Sequence, residues 1–213
     1  MRYERKGCVK ENLTDIVVVL DRSGSMITAL NETIGGYNNY ITAQKGIAGE
    51  CNVTLVQFDN EYECNYAGKP IAEVPALDDK TFVPRGFTAL LDAIGKTIKD
   101  TSARILATQK ALRPAKVLVV VITDGGENSS KEYDYKKIHS MISDLRTKNW
   151  EFVFLAANID VASYSDKLGI AGGNAMKYTS DGAGTQAALN HLSEGTSNYR
   201  GGRGAQSENF WKK

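Results

Sequence analysis

The sequence predicts an α/β fold: a doubly wound, mostly parallel sheet with one antiparallel edge strand and helices on both faces. Short β-branched runs alternate along the chain with segments of helical periodicity, and this alternation implies crossover connections between parallel strands. The runs 16–20 and 117–122 are continuously apolar, which is typical of strands buried on both faces. A turn signal at Asp59-Asn60 separates two further strand patterns and predicts the antiparallel hairpin.

The remaining elements follow from the same patterns. Strands are predicted at 52–58, 61–66, 152–157 and 176–178, and helices at 88–112, 133–148, 161–168 and 183–192. A first helix follows from one stripe at three- and four-residue spacing, made of Ile27, Leu30, Ile34, Tyr37 and Ile41. The stretch 68–86 contains three prolines and predicts a long loop.

The length of 213 residues fits one domain with a continuous core. We predict an N-terminal extension at 1–14, the domain at 15–194 and a flexible tail at 195–213. The tail is predicted because its composition shifts to Gly, Ser, Asn and Arg.

Composition argues against several functional classes. A net charge of +1 without a basic stripe argues against nucleic-acid binding, and no helix pairs a basic face with an apolar one, as membrane-surface binding requires. The charged N-terminus lacks the apolar core of a signal peptide, and no apolar run is long enough to span a bilayer. Three widely spaced cysteines predict reduced thiols in a cytoplasmic protein, with a Cys51–Cys64 bridge as the less favoured alternative.

Oxygen-bearing side chains follow the predicted strands. Asp21, Ser23 and Ser25 come after the first strand, Asp124 follows the strand at 117–122, and Thr88 opens the long helix. Ligands of open α/β sheets bind outside the carboxyl ends of the strands, so these groups are expected at one edge. Hard oxygen donors without histidine or cysteine favour Mg²⁺, with Mn²⁺ or Ca²⁺ as alternatives.

This pattern resembles the metal-ion-dependent adhesion site of von Willebrand factor A domains. Asp21-x-Ser23-x-Ser25, Thr88 and Asp124 match the motif without a missing member, and the order of elements matches from about residue 15 to 178. The resemblance implies that the serines bind the ion directly and that the threonine does so in the ligand-bound form. It also implies that the aspartates act directly or through water, and that an Asp or Glu of a partner protein completes the shell.

The segments 86–93 and 156–160 resemble those of stand-alone bacterial or phage proteins of this type. That resemblance implies an intracellular protein that assembles a complex.

Each of these residues also has a purely structural interpretation. Asp21, Ser23, Ser25 and Thr88 are common helix N-caps, and Asp124-Gly125 is a common turn. Three such coincidences at one sheet edge are less probable than one metal site, so we favour the metal.

Other polar residues lie near the same edge. Asn158 and Asp160 could support the ion or contact a partner, although Asp160 is better explained as a helix start. Glu127 and Asn128 could contact a partner or belong to a solvated loop, and Arg22 is expected to be exposed.

The sequence does not favour an enzyme, and no catalytic residue is assigned. A dehalogenase-like phosphatase needs an acid two residues after Asp21, where Ser23 stands. Gly95-Lys96-Thr97 lacks the earlier glycine of a P-loop, and no G-x-S-x-G motif is present. We therefore predict a metal-dependent protein-binding module. The alternatives are a metal-dependent hydrolase of anionic substrates at the same ion and an assembly protein whose ion only stiffens loops.

Overall fold

A computed structural model describes residues 9–202 and 209–211, and its centre is a six-stranded sheet with the order β3-β2-β1-β4-β5-β6. The strands are β1 Lys10–Asp21, β2 Glu50–Phe58, β3 Tyr62–Pro70, β4 Pro114–Thr123, β5 Trp150–Ala156 and β6 Ala175–Lys177. Only the β2–β3 pair is antiparallel. The predicted fold class, including the single antiparallel edge strand, is confirmed.

Five α-helices cover the two faces of this sheet. They are α1 Leu30–Lys45, α2 Leu90–Ala107, α3 Tyr135–Arg146, α4 Val161–Leu168 and α5 Gly182–Arg200. Helices α1 and α5 share one apolar cluster with the sheet, and α2, α3 and α4 share the other.

The side chains of β1 alternate between the two faces of the sheet, which explains why the chain needs a layer of helices on each face. In β1, Ile16 and Val18 point into the cluster with α1 and α5, whereas Val17 and Val19 point into the cluster on the opposite face. All four side chains are fully buried, which is the pattern expected of a strand covered on both sides.

The predicted helices differ from the structure at their ends. The helix predicted at 133–148 is two residues shorter at each end, and the helix predicted at 183–192 extends to Arg200. Two others show the physical reason. Helix α2 stops at Ala107 instead of 112, since Thr108 is extended and Arg113 donates to the carbonyl oxygens of Leu106 and Thr108. The first helix opens with a 3-10 helix, Gly24–Ala29, and α1 begins only at Leu30. As a result Ile27 is exposed and does not belong to the buried stripe.

The predicted start of the flexible tail at 195 also differs from the structure. Helix α5 continues to Arg200 and buries Thr196 and Tyr199 against the rest of the domain. Small residues are compatible with this packing, because a Cβ on Gly195 would lie 2.4 Å from the ring of Phe210. Phe210 itself is buried, so part of the segment assigned to the tail belongs to the core.

At the N-terminus β1 begins at Lys10, inside the segment predicted as an extension. Within the described ranges, no helix combines the length and apolar character that crossing a membrane requires.

Phe210→Ala tests whether the docked C-terminal residues contribute to stability. We expect the free energy of unfolding to fall by about 3 kcal/mol, as for other buried Phe truncations. Denaturant titration measures this change, with the exposed Leu106→Ala as a control that changes stability by less than about 0.5 kcal/mol. Equal stabilities for the two variants would contradict the docking of Phe210.

Candidate metal centre

The candidate site lies where the two central strands end side by side. Strands β1 and β4 are parallel neighbours, and Leu20 pairs with Ile122 near their carboxyl ends. Asp21 is the last residue of β1, and Asp124 directly follows β4. From β1 and β4 the strand order continues to β2 and β3 on one side and to β5 and β6 on the other. Open α/β sheets bind ligands outside the carboxyl ends of the strands at such a point.

The structure brings the five predicted residues to this one edge. The hydroxyl oxygens of Ser23 and Ser25 are 3.2 Å apart, and the Ser25 hydroxyl donates to Asp124 Oδ1 at 2.6 Å. The hydroxyls of Thr88 and Ser25 both face Gly125, at 3.7 and 3.8 Å from the position a Cβ would occupy there. These oxygen atoms form one cluster beside Gly125, which has no side chain.

Helix capping does not account for these side chains. Ser23 precedes the 3-10 helix but makes no side-chain capping hydrogen bond. Helix α2 begins after Ala89, so Thr88 is not its N-cap. The serine and threonine hydroxyls therefore have no capping role that would explain their convergence.

The donor chemistry fits a hard divalent cation. All five candidate side chains offer oxygen, and Ser23, Thr88 and Asp124 are at most 4% exposed. No group of three or more His, Cys, Asp or Glu suited to a metal occurs in the part of the chain that the structure describes. A cation at this edge would consequently depend on hydroxyl ligands as well as on the two aspartates.

Burial also makes the two carboxylates costly to ionise in the absence of a cation. Asp21 is fully buried, and desolvation raises its pKa from 3.8 to about 6, although hydrogen bonds from Thr123 and Ser23 oppose the rise and the charge of Asp124 adds to it. Desolvation likewise raises the pKa of Asp124. A nearby positive charge would favour the ionised form of both groups.

Two residues that the sequence analysis did not assign to the candidate site hold its loops in place. The Thr123 hydroxyl donates to Asp21 Oδ2 at 2.6 Å and accepts from the N–H of Gly125 at 3.1 Å. Tyr178 donates to the carbonyl oxygen of Thr123 at 3.0 Å. The sequence did offer a signal for Thr123, since it is a hydroxyl residue directly before Asp124. Nothing near Tyr178 in the sequence indicated its role.

Asn158 supports the same loop from β5. Its backbone is left-handed, with φ of 57°, and its side-chain amide donates to the carbonyl oxygen of Asp124 and to Ser180, each at 3.0 Å. The structure thus agrees with the interpretation of Asn158 as a supporting residue. Asp160 caps α4 by accepting from the N–H of Ser163, as its sequence position indicated.

Arg22, Asp59 and Arg85 form an ion-pair cluster, which we call the Asp59 clasp. It links the first loop of the candidate site, which follows β1, to the second loop, which precedes α2. Asp59 Oδ2 accepts from Arg22 Nε at 3.1 Å and from Arg85 Nε at 2.8 Å. Its carbonyl oxygen also accepts from the N–H of Ala89, directly after Thr88. The expectation that Arg22 is exposed was wrong: it is 5% exposed because it pairs with Asp59 and with Glu63.

Asn128 and Glu127 join the second loop, which carries Thr88, to the third loop, which follows β4. From the sequence, each of them could contact a partner or belong to a solvated loop. Asn128 exchanges two hydrogen bonds with the backbone of Thr88, at 2.8 and 3.0 Å. Glu127 accepts from the N–H groups of Leu91, Ser129 and Ser130. Both side chains hold the loop against the start of α2.

Comparison with known proteins identifies the fold. No family model matches the sequence, and no curated protein matches it. Proximal thread matrix protein 1 from the mussel byssus is similar in structure, with a TM-score of 0.63 and 16% identity over 88% of this chain. A manganese-loaded TRAP protein of Plasmodium vivax has a TM-score of 0.58 and 15% identity over 85% of this chain.

A von Willebrand factor type A protein from Catenulispora acidiphila is similar as well, with a TM-score of 0.56 and 13% identity over 89% of this chain. The matches cover 47% of the byssus protein, 73% of the TRAP protein and 43% of the Catenulispora protein. One further structure of the byssus protein has a zinc-occupied MIDAS motif, the metal-ion-dependent adhesion site. The chain therefore has the von Willebrand factor A fold and spans about half the length of the byssus protein.

Asp21→Asn tests the electrostatic cost at this site. With a pKa raised from 3.8 to about 6, native Asp21 keeps its proton to higher pH than the unfolded chain, so its contribution to stability falls as pH rises through that interval. Asn fits, because Thr123 can donate to the carbonyl oxygen of Gly125 at 2.9 Å instead. In EDTA we expect the variant to gain up to about 3 kcal/mol relative to the native protein between pH 4 and pH 7.

Thermal unfolding of both proteins across this pH range measures the difference. A difference that stays constant with pH would show that Asp21 titrates like an exposed carboxyl.

Arg85→Gln tests the Asp59 clasp. Because the Arg85 side chain is 53% exposed, its loss is expected to change the free energy of unfolding by about 1 kcal/mol or less. The affinity for Mg²⁺ or Mn²⁺ should nevertheless fall by about three- to tenfold, since the loop that carries Thr88 loses one anchor. Calorimetric titration measures the affinity, and Lys96→Gln, which breaks the surface pair with Glu132, is the matched control. Equal metal affinities in the two variants would show that the Asp59 clasp does not position the loop that carries Thr88.

Proposed function

We propose that this chain is a protein-binding module that holds a divalent cation, Mg²⁺ in our interpretation, at the carboxyl edge of its sheet and uses it to capture an acidic residue of a partner protein. One observation carries the proposal: three hydroxyl and two carboxylate side chains from three separate loops converge at the edge of the sheet outside β1 and β4. The von Willebrand factor A fold supports it.

The residues available to hold the cation divide by chemistry. Ser23, Ser25 and Thr88 would provide neutral hydroxyl oxygens, while Asp21 and Asp124 would provide the negative charge, directly or through water. Two carboxylates balance a divalent charge without exceeding it, so the site would not repel a third carboxylate that enters an open coordination position. When bound, the cation would supply a positive charge and a coordination position for that incoming group.

Structural neighbours support a divalent ion at this kind of site. Manganese is present in the TRAP protein, and zinc occupies the MIDAS motif of the byssus matrix protein. Our preference for Mg²⁺ follows from the donor set of this chain, which consists of hard oxygen atoms; Mn²⁺ and Ca²⁺ share that preference and are the alternatives.

The same proposal includes assembly of an intracellular complex. Cys51 is buried and Cys64 exposed, and both are free thiols, as expected in a reducing compartment. Residue 8, the third cysteine, lies outside the described residues.

Asp124→Asn tests the ion and the partner together. Magnesium at a hundred times its dissociation constant should stabilise the native protein by about 2.7 kcal/mol, and the melting temperature should rise by about 5–10 °C. The variant should fold, lose this shift and fail to capture protein from an extract of the native cell, a capture that EDTA should also abolish in the native protein.

Capture that persists in EDTA would overturn the proposal. The hydrolase alternative is tested with phosphate esters and nucleic acids in Mg²⁺ or Mn²⁺. Turnover that disappears in Asp124→Asn would favour an enzyme over a binding module.

A further inference from the structure

Two large apolar side chains stand exposed on the loops that carry the candidate ligands. Phe87, directly before Thr88, is 67% exposed, and Ile27, two residues after Ser25, is 57% exposed. Isolated exposed apolar residues are ordinary on protein surfaces. These two differ because each lies within two residues of a candidate metal ligand on a different loop.

Backbone hydrogen bonds hold the two loops side by side. The N–H of Gly24 donates to the carbonyl oxygen of Gly86 at 3.3 Å, and the N–H of Arg85 donates to the carbonyl oxygen of Arg22 at 2.8 Å. A Cβ on Gly24 would lie 3.5 Å from the oxygen of Gly86. Gly24 and Gly86 therefore place backbone without side chains between the segments that carry Ile27 and Phe87.

The residues at the candidate site differ in their exposure to solvent. Ser23, Thr88 and Asp124 are buried, whereas Gly24, Ser25 and Gly86 are exposed. The exposed backbone of the first two loops therefore offers one approach to the site for a carboxylate. The residues next to that carboxylate would then lie against Ile27 or Phe87.

Polar side chains lie on the side of β5 and β6. Asn158 contacts both the Asp124 carbonyl and Ser180, and the exposed ammonium side chain of Lys177 lies on the neighbouring strand β6. The side of the first two loops thus carries two large exposed apolar side chains, whereas the side of β5 and β6 offers an amide and an ammonium group. Such asymmetry can distinguish partners that present the same acidic residue.

We infer that Ile27 and Phe87 select the partner: the captured segment carries a large apolar residue next to its acidic residue. The occupant is a protein segment of this chemistry, because the apolar pair is continuous with the site that we propose to bind the carboxylate. This inference rests on the proposed function and adds to it the identity of the neighbouring residue. Ile27 and Phe87 act as specificity determinants and do not bind the ion.

The test is selection from a phage-displayed library of random peptides on the native protein in Mg²⁺, with elution by EDTA. We expect the eluted peptides to be enriched in Asp or Glu with Leu, Ile, Phe or Met at an adjacent position. A synthetic peptide from this pool and its partner with Ser in place of the apolar residue then give a preference ratio. We expect the native protein to prefer the apolar peptide by about tenfold or more.

Variants locate the origin of that ratio. Phe87→Ser and the double variant with Ile27→Ser should reduce the ratio to about one, and a ratio cancels any loss of ion affinity that both peptides share. Leu106→Ser is the matched control, because Leu106 is 66% exposed but lies near the far end of α2. This control should keep the native ratio.

Each other outcome has a defined consequence. Acidic peptides that elute with EDTA but show no apolar neighbour overturn the inference and leave the proposed function standing. A ratio that Phe87→Ser leaves unchanged also overturns it. Magnesium-dependent self-association in sedimentation experiments, lost in Phe87→Ser, would identify a second copy of this chain as the occupant and overturn it as well. If no peptide elutes with EDTA, both proposals fail.

Discussion

The hydrogen bonds of the buried Asp21 carboxylate are the constraint on which the candidate site depends. This side chain ends the central strand, is shielded from solvent, and accepts from the N–H of Ser23 and the hydroxyl of Thr123, both at 2.6 Å. One oxygen therefore shapes the loop that follows β1, and the other ties that loop to the end of β4. An apolar residue of similar size would leave the Ser23 N–H and the Thr123 hydroxyl without this acceptor.

The remaining loops are fixed by polar contacts of the same kind. Asp59 pairs with an arginine from each of the first two loops. Asn128 holds the second loop to the third, because its side-chain oxygen accepts from the N–H of Thr88 and its own N–H donates to the Thr88 carbonyl oxygen. Removing one partner of a buried pair is costly because the other charge stays buried. The backbone segments that carry the candidate hydroxyl residues are thus held by contacts within the protein, which would lower the cost of ordering the proposed site.

Local patterns were sufficient to predict the sheet and the five candidate ligands. Continuous apolar strands and the hairpin signal at residues 59–60 are properties of short segments, and Asp21, Ser23 and Ser25 follow their strand directly. Arg22 and Tyr178 were missed because their partners, Asp59 and Thr123, are distant in sequence. The end of α5 was missed for a related reason: Gly195 and the small polar residues around it have a low helical propensity, and packing against α1 and Phe210 overrides it.

The two ends of the sheet are built from different interactions, and this separates stability from recognition. At the amino end, Asn174 is fully buried, accepts from the N–H of Phe210 at 2.8 Å and donates to Glu151 at 2.6 Å, so the chain terminus closes an apolar cluster. At the carboxyl end the loops add polar groups and exposed apolar residues outside that cluster. Substitutions such as Phe87→Ser therefore change the surface that a partner meets without removing a core contact. Because the side chains that we propose to select the partner lie outside the core that maintains the fold, substitutions in three short loops could change the partner and leave the scaffold intact.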